Sequence, residues 1–134
     1  MSLPRASHRE RGAAAVEFAL VLPILVLLVF GIVEFSIGFN RQQALHAAAR
    51  EGARVASLPS STTSEIDAAV QGALEGVNFA STPSVTITPA GTRPCEGRSG
   101  STVVVTVQAV HELDIPLWRS DTITLTGRGE FRCE

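Results

Sequence analysis

The hydrophobic pattern of the chain is dominated by an apolar run from Ala13 to Val33, AAAVEFALVLPILVLLVFGIV, in which Glu17 is the only charged residue. The 21 residues of this run (13 to 33 inclusive) would form a helix about 31 Å long, close to the ~30 Å hydrocarbon thickness of a bilayer. Core helices of soluble proteins usually keep a polar stripe, and this run has none. The pattern therefore predicts a transmembrane helix.

The helical pattern continues beyond the apolar run to about residue 57. Small apolar residues recur there at spacings of three and four, which predicts an amphipathic second half of the same helix. They are Ala44, Leu45, Ala48, Gly52, Val55 and Ala56. Leu58-Pro59 ends the helix, because the residue before a proline disfavours helical geometry. Pro23 removes one backbone hydrogen bond in the apolar half and predicts a kink there.

Residues 58–134 predict a small α+β domain that begins with a second, short helix. Thr62-x-x-Glu65 matches a capping box, in which a hydroxyl and a carboxylate each accept from an amide that the helix leaves unpaired. Ile66, Val70 and Leu74 then lie on one helical face, and Gly76 and Asn78 mark the predicted end. This helix is expected to pack on the second half of the first helix or on a sheet.

Apolar and polar residues alternate in the last part of the chain, which predicts β-strands. The predicted strands are 84–88, 101–113 and 122–131, joined by a loop at 89–100 and by a turn at 114–121 that contains Pro116. Three antiparallel strands can cover the long helix and complete the α+β domain. Gly127 and Gly129 predict a bulge or a bend in the last strand.

The twelve residues before the apolar run, MSLPRASHRERG, carry three arginines and one glutamate. Positive charge beside the first apolar run holds that end in the cytoplasm, so residues 34–134 are expected on the extracytoplasmic side. The alternative is a cleaved secretory signal, because Ser36-Ile37-Gly38 offers a small-x-small site. The apolar run is longer than the usual core of such a signal.

Cys95 and Cys133 are the only cysteines, and they are far apart in sequence. In an exported domain a disulfide between them is the natural interpretation, and two unpaired buried thiols are the alternative. Neither a CxxC motif nor a Cys/His cluster occurs, so no metal site is predicted.

Other chemistry has little support in the sequence. A net charge of −2 without a basic cluster argues against nucleic-acid binding. His46 stands among alanines and is expected to face solvent or the domain, and His111 lies beside Glu112 and Asp114 and is expected to be a surface residue. Without convergent catalytic groups or a nucleotide motif, we expect no enzymatic activity, no cofactor and no small-molecule substrate.

Glu17 is the residue whose position needs an explanation. An unpaired carboxylate in hydrocarbon is costly, so it must be protonated or find a partner. If the chain is cut after Gly12, the new α-amine of Ala13, on the same chain or on a neighbour, supplies the opposite charge. The alternative is that Glu17 lies at the cytoplasmic headgroup level and reaches water.

The leader that ends in Gly12, the run AAAVEFALVLPILVLLVFGIVEF (13–35) and the segment AAREGARVAS (48–57) resemble the TadE-like minor pilins. These are pseudopilins of the tight-adherence (Tad) branch of the type IV pilus machinery. The resemblance implies cleavage between Gly12 and Ala13 by a prepilin peptidase, and a need for Glu17 in processing or assembly.

The resemblance also implies an exported domain in a pilus or at its base, with other pilins and the Tad assembly machinery as partners. Major pilins of this system usually carry Tyr after the Glu, where this chain has Phe18. This difference favours a minor component that takes part in pilus assembly and adherence. The alternative is a single-pass membrane-anchored extracytoplasmic binding domain that never enters a filament.

Overall fold

The computed structural model describes the backbone of residues 8–114 and 120–134 and the side chains of residues 12–114 and 120–134. It contains α1 (His8–Ala56), α2 (Thr63–Ala73), β1 (Ser84–Thr88), β2 (Thr102–Leu113) and β3 (Asp121–Arg132). The predicted α+β fold, with a long helix, a short helix and three antiparallel strands, is confirmed. Residues 1–7 of the predicted leader, and Pro116 in the predicted turn, lie outside the described residues.

The long helix α1 has 49 residues and continues without interruption through Pro23. Its two halves differ in what covers them. Every side chain from Gly12 to Val33 is exposed, whereas Leu45, Ala48 and Ala56 are fully buried. The predicted stripe of small residues therefore does face the domain. The kink at Pro23 stays a prediction.

The buried face of α1 is wider than the predicted stripe. Ala49 and Ala53 are also fully buried, because α2 and the sheet pack on two sides of the helix. Gly52 lies where both meet: a Cβ atom at this position would be 2.5 Å from Val70 Cγ2 of α2 and 3.2 Å from Val105 Cγ1 of β2. The absence of a side chain thus lets both elements approach the α1 backbone.

The predicted capping box begins α2. The Thr62 amide donates to Glu65 Oε2 at 2.8 Å, and the Glu65 amide donates back to Thr62 Oγ1 at 3.4 Å. The predicted end at Gly76 is too late, since α2 ends at Ala73. Bonds of the i→i+3 type carry the chain onward, from the Val77 amide to the Leu74 carbonyl among others, and Gly76 then adopts a φ of 84°.

The three strands form one antiparallel sheet in the order β1-β2-β3. One face lies on α1 and α2 and buries Val103, Val105, Val107 and Ala109, as their alternation predicts. The opposite face is largely polar, with Thr86, Thr106 and Arg128 side by side in the register.

Two glycines of β3 lie on the inner face against α1. The predicted bulge is wrong, because β2 and β3 pair residue for residue from Thr102↔Arg132 to Leu113↔Asp121. A Cβ atom at Gly127 would overlap the Leu45 carbonyl, and one at Gly129 would overlap the Ala49 carbonyl. The absence of a side chain at these two glycines therefore allows the β3 backbone to lie directly against the α1 backbone.

The predicted disulfide joins Cys95 to Cys133 with a Cα–Cα distance of 5.4 Å, and both residues are buried. This finding excludes the alternative of two unpaired thiols. Backbone hydrogen bonds hold the same region: the Cys133 amide donates to the Ser101 carbonyl at 2.7 Å, and the Glu134 amide donates to the Ser57 carbonyl at 3.0 Å. The end of β3 is thereby fixed to the end of α1.

Candidate functional site: the exposed helix and its junction with the domain

The exposed half of α1 carries a continuous series of exposed apolar side chains. Side chains that would be buried in a soluble protein stand free on every side of the helix, for example Leu20 at 71% and Ile24 at 66% exposure. Within residues 8–114 and 120–134, α1 is the single helix that is long and apolar enough to cross a membrane, judged by length and composition. This surface requires lipid or other helices as a covering.

The predicted processing and assembly residues lie on this exposed helix. Gly12 and Ala13 are exposed, and so is Glu17. Ala13 and Glu17 are four residues apart, which places them on one face of α1 about 6 Å apart along its axis. None of the ion pairs among the described residues includes Glu17. Their roles in cleavage and charge pairing stay predictions.

We call the junction between the exposed helix and the domain the neck. It consists of residues 34–42 of α1 with the facing ends of β2 (111–113) and β3 (123–125). A mainly apolar cavity of about 250 Å³ lies between these elements. Phe35 and Phe39 stack along one side of the helix with ring centroids 6.2 Å apart, and both remain more than half exposed.

His111 lines the cavity at the neck and is only 1% exposed, so the expectation of a surface residue is wrong. Residue 111 continues the inward-facing series of Val107 and Ala109, and this register overrides the polarity of the side chain. Arg41 Nη1 donates to His111 Nδ1 at 2.5 Å. Because a guanidinium can only donate, Nδ1 is the acceptor and the proton of the neutral ring is on Nε2.

The environment of His111 favours its neutral form. Burial lowers the pKa of the imidazole, the positive charge of Arg41 lowers it further, and the negative charge of Glu34 opposes both. The Nε2 atom is buried without a hydrogen-bond partner among the described residues. It lies against Gly38, where a Cβ atom would be 3.3 Å away.

Polar side chains of α1 also bind the backbone of β3 beside the glycine contacts. Gln42 Nε2 donates to the Thr126 carbonyl at 2.6 Å, and the Arg128 amide donates to His46 Nδ1 at 3.3 Å. His46 therefore faces the domain, one of the two places expected for it. The contact of Gln42 with β3 was not predicted. The available signals were the i,i+4 spacing between Gln42 and His46 and the glycine at position 127.

Arg41 also lines a second, more polar cleft on the other side of the neck. The cleft has a volume of about 410 Å³ and is formed by residues of α1 and of the segment after α2: Ser36, Ile37, Asn40, Arg41, Gly76, Val77 and Asn78. The sequence pattern does not predict this cleft. The available signal was that Arg41 is the first basic residue after Arg11.

The part of the chain that the structure describes contains no group of three or more His, Cys, Asp or Glu residues that could hold a metal ion. Both cysteines are used in the disulfide.

Comparison with known proteins identifies the N-terminal region. Residues 12–54 match the sequence model of the family described as TadE-like protein. The matched segment lies entirely within α1 and covers about a third of the chain. No curated protein and no solved structure matches the chain. The resemblance to TadE-like proteins is thus confirmed for the N-terminal region.

Proposed function

Because residues 12–54 are TadE-like, we propose that this protein is a minor pilin, or pseudopilin, of a Tad-type pilus system. It takes part in pilus assembly and surface adherence and catalyses no reaction. The observation that carries the proposal is the position of the family match. It covers both the bare half of α1 and the half on which the domain is built.

The proposed topology has residues 1–12 as a cytoplasmic leader, residues 13–33 as the membrane span, the continuation of the helix to about residue 57 as exported, and residues 58–134 as the exported domain. Two observations support it. Three arginines precede the apolar run, and positive flanking charge is retained in the cytoplasm. The domain at the other end of α1 contains a disulfide, a bond that persists in oxidising compartments outside the cytoplasm.

The proposed role of Glu17 is to pair with a free α-amine after a prepilin peptidase cuts between Gly12 and Ala13. Glu17 is exposed on the bare helix, and no ion pair among the described residues includes it. Its partner must therefore come from the start of α1 itself or from another subunit. A pair between subunits would set the register of neighbouring helices, because a misplaced carboxylate would stay unpaired in a medium of low dielectric constant.

The partners of this protein are then the membrane, the peptidase, other pilins and the Tad assembly machinery. The alternative is a membrane-anchored binding domain that stays outside any filament, and the apolar cavity at the neck is the observation in its favour. The two functions differ in what they require of Glu17. Assembly needs the carboxylate, whereas an anchored binder does not.

Two measurements in the native host test the proposal. Intact-mass analysis should show a mature chain that begins at Ala13. A Glu17→Ala strain should assemble few or no pili, while a Glu75→Ala strain, in which an exposed carboxylate of the domain is removed, should assemble them normally. A chain that keeps its leader, together with normal pili in the Glu17→Ala strain, would overturn the proposal.

A further inference from the structure

We propose that the cleft beside Arg41 binds the phosphate group of a phospholipid in the leaflet where α1 leaves the membrane. The inference rests on the proposed membrane anchoring of α1. It goes beyond that function because it assigns a binding site, and a class of ligand, to residues outside the processing and assembly region. Three features of the neck support it: an uncompensated charge, its depth along the helix and the polar groups around it.

Arg41 makes no ion pair within the described part of the chain. Arg41 is half-buried, and its one hydrogen bond there goes to His111, a neutral imidazole. None of the ion pairs among the described residues includes Arg41, and Glu34, two turns earlier on α1, does not pair with it. A neutral acceptor fixes the orientation of the guanidinium and leaves its positive charge available to an anion.

The depth of Arg41 along α1 matches the level of lipid headgroups. The exposed apolar surface extends past the predicted span to Phe35, Ile37 and Phe39. The proposed span ends at Val33, and Arg41 is eight residues (41 − 33), about 12 Å of helix, beyond it, so its long side chain can reach back to the headgroup phosphates. Asn40 and Arg41 come directly after the exposed Phe39, where basic side chains meet phosphates.

The lining of the cleft suits a phosphodiester with an acyl chain attached. Asn40 and Asn78 contribute amide groups, and Ser36 contributes a hydroxyl, although this hydroxyl already donates to the Ile32 carbonyl at 2.7 Å. Ile37 and Val77 supply apolar surface beside these groups. The guanidinium keeps further N–H groups beyond the one that His111 accepts, and these can donate to two phosphate oxygens at once.

The proposal is tested by native mass spectrometry of the full-length chain, solubilised in detergent and supplied with phosphatidylglycerol. We expect a retained lipid adduct in the wild type. Arg41→Gln removes the charge but keeps an amide donor, and it should lower the adduct about fivefold, the effect of one basic residue near an anionic surface. Arg50→Gln, an exposed arginine on α1 farther from the span, should leave the adduct unchanged.

Arg41→Lys separates loss of charge from loss of fold, because it retains the cation and should keep most of the adduct. Equal retention by the wild type, the Gln variant and the Lys variant would overturn the proposal. Retention of diacylglycerol as strong as that of phosphatidylglycerol would also overturn it, since no phosphate would then be recognised. Displacement of the lipid by millimolar inorganic phosphate would assign the site to a soluble anion instead.

A separate measurement distinguishes failure of this inference from failure of membrane anchoring. Carbonate extraction of host membranes reports whether the wild-type chain is integral to the membrane. If the chain resists extraction but retains phosphatidylglycerol regardless of residue 41, only the lipid site is wrong. If the chain is extracted, the anchoring itself is wrong.

Discussion

The contact between β3 and α1 makes Gly129 a sensitive position for the stability of the domain. Gly129→Ala adds one methyl group, which would overlap the carbonyl of Ala49 in the half of α1 that the domain covers. The obstacle is backbone held by helical hydrogen bonds and cannot rotate away as a side chain could. The strand must therefore move away from the helix.

The cost follows from what such a movement separates. Residues that precede the glycine on β3 are held against α1, including Leu125, which is 8% exposed, and Thr126, whose carbonyl accepts a hydrogen bond from Gln42. A gap of 0.5–1 Å loses a quarter to a half of the dispersion energy of each contact that it opens. Overpacking typically costs about 1–3 kcal/mol, and we expect about 3 kcal/mol because the clash is with backbone.

Thermal unfolding of the full-length chain in detergent, followed by circular dichroism, measures this effect. For a domain of this size, about 3 kcal/mol corresponds to a fall in Tm of more than about 10 °C. Gly72→Ala is the matched control: Gly72 is in α2, is exposed and has nothing within 4 Å of an added Cβ. The same methyl group should stabilise there by up to about 1 kcal/mol. A Gly129→Ala chain that melts with the wild type would refute the close-contact argument.

Two further predictions concern the disulfide and the buried histidine. Replacing Cys95 and Cys133 by Ser opens a cross-link with a sequence separation of 38, and by chain entropy it should lower the free energy of unfolding by about 4 kcal/mol. Urea denaturation measures the loss, and an unchanged midpoint would contradict the estimate. His111, whose pKa lies below its ordinary value of 6.5, takes up a proton more readily in the unfolded chain. Stability should therefore be full above about pH 6.5 and fall as the pH drops toward the lowered value. The urea midpoint of the wild type should be lower at about pH 5.5 than at about pH 7.5, and this difference should disappear in His111→Gln. If the midpoint changes with pH by the same amount in both proteins, His111 is not the titrating group. Glu51 and Glu65 do not contribute to this difference, because their carboxyl pKa values are lowered from 4.5 and therefore lie below the pH range that is compared.

The sequence predicted those parts of the fold that depend on short-range patterns. The capping box at Thr62 is complete within four residues, and the alternation from Val103 to Ala109 assigns one face of β2 without knowledge of its partner. The apolar run identified α1 because its composition alone sets it apart. The disulfide followed from cysteine number and the expected compartment.

The parts that were missed depend on contacts between residues distant in sequence. Ala49 and Ala53 are buried because both α2 and the sheet pack on α1. The apolar stripe in the sequence predicts contact with only one such element. Gly129 was interpreted as a local irregularity of a strand, although its cause is a helix 80 residues earlier in the chain (129 − 49). His111 was expected at the surface because it is polar and stands beside acidic residues. Its position in the strand instead directs the side chain inward.

The direct contact of two strand residues with the α1 backbone has a mechanical consequence. At 49 residues, α1 is about 74 Å long, and the sheet touches its main chain instead of flexible side-chain tips. A force or a torque applied to the exposed end of α1 would therefore be transmitted to the sheet with little deformation of the contact between them. Any compliance between the two ends must then reside in the uncovered half, where Pro23 lies.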